Sequence, residues 1–97
     1  MTSVTLLRAA QLDIRTGAQF YEGQAPGLGL EFVAEVERSI ERLKTYPELG
    51  APMRKGARKL LVRRFPYLVI YRVEQARVLV LAVGHQRRHP DFWLDRL

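Results

Sequence analysis

The spacing of apolar residues changes along the chain, and each change predicts an element. Val4-Thr5-Leu6-Leu7 is short and β-rich, which predicts a first strand. From Ala10 the period becomes helical: Ala10, Ile14, Gly17, Ala18 and Tyr21 fall on one face. Gly17 weakens that helix by about 1 kcal/mol relative to alanine, so its place there suggests that another backbone packs closely. Gly23-Gln24-Ala25-Pro26-Gly27 has turn chemistry. A second helix is predicted over 28–45, where Val33, Val36, Ile40 and Leu43 make an apolar seam with Phe32 beside it. Its acidic residues come early and its basic ones late, as the helix dipole favours. Pro47 ends it by pushing Tyr46 out of the α region.

The remainder reads as β structure. Lys59 to Arg63, Tyr67 to Val73 and Val78 to Val83 are three predicted strands, with Phe65-Pro66 and Glu74-Gln75-Ala76-Arg77 between them. Leu68-Val69-Ile70 and Val78 to Val83 are nearly continuous in apolar residues, the signature of strands covered on both faces. Pro90-Asp91-Phe92-Trp93-Leu94 predicts one last helical turn with proline near its start. The order is β-α-α-β-β-β, an α+β fold with a helical hairpin layered on a four-stranded sheet. Such a sheet has edges at which a partner strand can dock.

Composition narrows the class. A chain of 97 residues has room for a single domain, 1–97. With no cysteine, disulfide scaffolds and thiolate metal sites are excluded. The N-terminus has no signal-peptide pattern and the longest apolar run cannot span a bilayer, so a soluble cytoplasmic protein with no membrane partner is expected. Charge is more informative. Residues 1–52 hold five Lys/Arg against seven acidic groups; residues 53–97 hold eleven against three. The basic second half points to an anionic partner: a nucleic acid, a machine bound to one, or an acidic protein.

Two stretches carry a family resemblance. Arg63-Arg64-Phe65-Pro66-Tyr67-Leu68-Val69-Ile70-Tyr71-Arg72-Val73 resembles the middle strands of RelE/ParE toxins. Val80-Leu81-Ala82-Val83-Gly84-His85-Gln86-Arg87-Arg88-His89-Pro90 is similar to that family's last strand and basic exit. The helix pair, with Asp13, Tyr21 and Tyr46-Pro47, fits as well. The resemblance implies a type II toxin in a hetero-oligomer with a cognate antitoxin. It also implies one of two actions: inhibition of DNA gyrase, as in the ParE branch, or cutting of mRNA on the ribosome, as in the RelE branch. The RNA-cutting toxins tend to carry an arginine where Leu68 follows Tyr67, a base where Gln86 stands, and in one subgroup a tyrosine where Phe92 stands. Glutamine has no useful pKa for proton transfer and phenylalanine has no hydroxyl. These departures favour the ParE side, and gyrase is the expected target.

For the alternative endoribonuclease, His85 and His89 would supply acid and base, with Arg63, Arg64 and Arg87 clamping phosphate. The residues expected to meet target or antitoxin are Arg64, Arg72, His85, Arg87, Arg88, His89 and Trp93. Arg72 has two readings, an anchor for the tail or for an acidic helix residue such as Asp13, and a side chain facing the groove. Of Phe92 and Trp93, one is expected to close the core and the other to face a partner. A third reading, a plain nucleic-acid module, rests on Tyr67 and Tyr71 sharing a strand face; Val69 and Val73 on that face favour packing instead. His85, His89 and Asp91 have metal-like spacing, but the chain has no third histidine, so neither metal nor cofactor is expected.

Overall fold

The computed structural model describes residues 2–97. Strand β1 (Ser3–Leu6) leads into α1 (Arg8–Gln24) and α2 (Leu28–Thr45). Then come β2 (Ala51–Pro52), β3 (Ala57–Leu61), β4 (Tyr67–Glu74) and β5 (Arg77–His85), with 3-10 turns at Arg54–Gly56 and Leu94–Arg96. The sheet order is β1-β5-β4-β3-β2. β1 lies parallel to β5, and the other pairs are antiparallel.

The expected α+β layering is present, with one strand more than four. β2 contributes two residues, Ala51 opposite Lys59 and Pro52 opposite Arg58. Proline has no N–H to donate, which suits this outermost strand. β3 begins and ends two residues earlier than predicted, because Arg64 turns into the left-handed region at φ 70° and the chain corners there. The last helical turn falls at Leu94–Arg96, slightly later than its proline suggested.

The helical hairpin closes through Glu22. Its carboxylate accepts the N–H groups of Gly27 and Gly29, each at 3.0 Å, at the start of α2. These bonds hold the Glu22 carboxyl below its ordinary pKa. The expected close approach at Gly17 is made by a ring and not by backbone. A β-carbon there would stand 2.7 Å from the Phe32 ring.

Two apolar layers flank the sheet. Phe32, Val36, Leu43, Val69, Tyr71, Val78 and Val80 are buried between helices and sheet. On the other face, Ala57, Ile70, Leu81, Ala82 and Trp93 form a smaller core under the C-terminal tail. β5 supplies both layers through an irregularity. Ile70 pairs with Ala82 but Tyr71 pairs with Val80, leaving Leu81 without a partner. Leu81 and Ala82 therefore share the tail side, and the alternation resumes one residue out of phase. Beyond the bulge, Val83 belongs to the helix side while Gly84 meets Phe92 of the tail.

Candidate functional site

The bulge determines what the end of β5 presents. By uninterrupted alternation His85 would face the tail. Re-phased, it faces the helices, its ring 5.5 Å from Tyr67 and nearly perpendicular to it. Together they border a cleft of about 300 Å³ lined by Asp13, Thr16, Gly17, Tyr67, Val83, Gly84, His85 and Arg88. Bulges placed beside functional clefts commonly re-aim a side chain in this way.

Asp13 forms the cleft's anionic corner. Its carboxylate accepts the Val83 N–H at 3.0 Å and pairs with Arg96 at 2.5 Å, while the Arg88 guanidinium lies 3.9 Å away. Arg96 also donates to the Leu81 carbonyl, so one guanidinium ties the tail to both α1 and β5. Arg88 stacks over the Phe92 ring at 4.1 Å, which holds it at the cleft mouth. Burial raises the Tyr67 pKa, so its hydroxyl remains a neutral donor at physiological pH. His85 Nδ1 accepts the Arg87 N–H at 3.0 Å. A neutral His85 ring therefore carries its proton on Nε2.

The structure brings together only part of the expected set. His85 and Arg88 share the cleft; Arg87 and His89 are exposed beyond it. His89 Nδ1 accepts the Asp91 N–H, and Asp91 pairs with Arg54 at 3.1 Å. Arg63 and Arg64 line a different, larger cleft of about 580 Å³ with Glu35, Arg38, Ser39 and Arg42. Arg72 reaches neither cleft. It pairs with Glu74, which also binds Arg77, and the two guanidiniums hold the Glu74 carboxyl below its ordinary pKa. The proposed anchoring of Asp13 by Arg72 is thus corrected: Arg96 performs it. Trp93 is fully buried and donates from Nε1 to the Pro90 carbonyl at 2.7 Å, so it is the member of the pair that closes the core. Phe92 is the half-buried member of that pair. Tyr71 is also buried, its hydroxyl accepting the Gly50 N–H at 2.8 Å, which removes it as a stacking surface.

Asp13–Arg96 and the meeting of Arg38 and Arg42 with Arg63 and Arg64 have no signature in local spacing. Their only trace is the charge imbalance: the acidic first half supplies carboxylates to arginines of the second, as in Glu31 with Arg64 at 2.7 Å.

A helical hairpin packs on a bulged, mostly antiparallel sheet, with a basic exit folded back beside the last strand, in one small α+β domain. The family model described as the ParE toxin of the type II toxin-antitoxin system parDE matches residues 4–90, and the chain belongs to that family. The fold is similar to that of a chromosomal ParDE toxin-antitoxin system from P. aeruginosa, with TM-score 0.79 at 22% identity over 88% of this chain and 96% of that one. It is also similar to the intact E. coli RelBE toxin-antitoxin complex, with TM-score 0.68 at 18% identity over 91% and 100%. The isolated E. coli RelE toxin gives 0.67 at 15% identity over 95% and 92%. No curated protein matches the chain. Among the described residues, no helix is long and apolar enough to cross a membrane.

Proposed function

We propose that the chain inhibits DNA gyrase through a protein contact and is neutralised by a cognate antitoxin. The observation that carries this reading is the ParE family match across residues 4–90. The cleft chemistry agrees with it. His85 is the only histidine there, and Gln86 and Phe92 add no proton-transfer group beside it.

An antitoxin has a suitable place to bind. The free edge of β1 adjoins a cleft of about 290 Å³ lined by Val4, Leu6, Ile14, Val33 and Ile40 together with Glu37, Glu41 and Lys44. An extended apolar segment would add a strand at β1 and place alternate side chains in that cleft. Its acidic residues would meet the basic second half of the chain.

A second reading, ribosome-dependent mRNA cleavage, draws on the meeting of Tyr67, His85 and Arg88. A proton on His85 Nε2 and a guanidinium beside it are groups that a phosphoryl transfer uses. Assays of gyrase supercoiling and cleavage-complex formation, set beside mRNA cutting on translating ribosomes, separate the two. The expected result is gyrase inhibition that survives alanine at His85 and at His89. RNA cleavage abolished by His85→Ala would replace the first reading with the second.

A further inference from the structure

The larger cleft lies between α2 and the corner joining β3 to β4, away from the His85 cleft. Arg38 and Arg42 reach it from one helical face, being one turn apart, and Arg63 and Arg64 reach it from the corner. Four like charges repel one another, so a fold that gathers them must hold them against that force. Glu35 does part of this. Its side chain is only 11% exposed, and it contacts Arg38 at 3.2 Å and Arg64 at 3.7 Å. Glu31 holds Arg64 from the other side at 2.7 Å. These contacts keep Arg64 in the left-handed region, which a long side chain rarely occupies without compensation from its surroundings.

Two of the four arginines are left over. Among the described residues, neither Arg42 nor Arg63 has a carboxylate within 4.0 Å. Four guanidiniums face two carboxylates, leaving a net charge of +2. The geometry points to an oxyanion site that takes a phosphate group, free or carried by a nucleotide or polynucleotide. A carboxylate offers two coplanar oxygens, which a single arginine fork satisfies. A phosphate presents oxygens in several directions, suiting donors that arrive from two elements. A terminal phosphate carries about −1.5 to −2 at neutral pH, which matches the spare charge.

The site is independent of the gyrase reading and is tested without it. The full chain is titrated with pyrophosphate, with AMP, with adenosine and with a short single-stranded oligonucleotide, against sodium chloride at matched ionic strength. Thermal midpoint and affinity are read together. Pyrophosphate and AMP are expected to raise the midpoint beyond the chloride control, and adenosine is not. Arg42→Ala/Arg63→Ala is expected to weaken binding at least tenfold. Both side chains lack ion-pair partners, so their removal leaves the fold intact, which circular dichroism checks. Arg8→Ala/Arg15→Ala removes the same charge from α1 and is expected to leave affinity within about twofold, because exposed charges at a distance are screened. Tighter binding of the oligonucleotide than of AMP assigns the site to polynucleotide; equal binding assigns it to free nucleotide. Equal losses in the two double variants would overturn the proposal in favour of diffuse attraction. So would a polyglutamate peptide that competes as well as the oligonucleotide, or phosphate acting no differently from chloride.

Discussion

Asp13 connects more of the molecule than any other single side chain at the His85 cleft. It sits on α1, accepts the Val83 N–H from β5, and pairs with Arg96 of the tail across 83 residues of sequence. Both ionic partners are largely shielded, with side-chain exposures of 11% and 17%. Removing one partner of such a pair leaves the other charge desolvated, and here it also strands a backbone N–H. Asp13→Ala is therefore expected to reduce unfolding free energy by about 2–4 kcal/mol in urea denaturation. Asp13→Asn keeps an acceptor for Val83 and should lose about half as much. A loss below about 1 kcal/mol for the alanine variant would mean that the pair is solvent-screened and does not latch the tail. The sequence marks Asp13 as an acidic residue needing a basic partner, but not which one. Arg72 was the expected candidate, and Arg96 has no local signal that singles it out before the bulge and the tail place it.

At the scale of elements, the helices were legible because their apolar spacing is long and unbroken. Of the predicted seam, Val36, Ile40 and Leu43 are buried and Val33 half-buried, and Phe32 beside it is fully buried. Four of the five strands were legible in their chain order, but the fifth and the register were not. A residue inserted in β5 leaves composition unchanged, yet it decides which face carries Val83, Gly84 and His85. The two-residue β2 has no sequence pattern of its own, since it exists only by pairing with β3. The tail shows what the re-phasing does. Gly84 is turned towards Phe92, whose ring fills the space a β-carbon would need. Gly84→Val must displace that ring, and overpacking of this kind costs about 1–3 kcal/mol. The chain has one tryptophan, so the consequence is directly visible. Buried Trp93 should emit at short wavelength in the native protein and shift to the red in Gly84→Val at a denaturant-free pH of 7. An unchanged spectrum would mean that Phe92 moves without undocking the tail.

For the whole molecule, the kind of base matters as much as the net charge of +6. Only Lys44, Lys55 and Lys59 are lysines; the other thirteen of the sixteen bases are arginines. Arginine stays protonated well beyond the range in which lysine titrates. Among the described residues, arginine supplies every side-chain ion pair except Lys44–Glu41. Tyr21, Tyr67 and Tyr71 lie between helices and sheet, and burial raises the pKa of each. A raised pKa in the folded state means that the unfolded chain loses its proton first. The stability these hydroxyls contribute is complete below about pH 10 and is lost as pH rises from there through the folded values. Glu22 and Glu74 act in the opposite sense, with lowered values whose contribution fades as pH falls through the acid range. Stability should thus be level around neutrality and fall above about pH 10; in Tyr46→Phe, which removes the one exposed tyrosine, tyrosinate absorbance and loss of near-ultraviolet ellipticity should appear together. Tyrosinate forming near pH 10 in that variant while the ellipticity holds would place these rings in water and remove them as the source. Loss of ellipticity without tyrosinate would likewise remove them as the source.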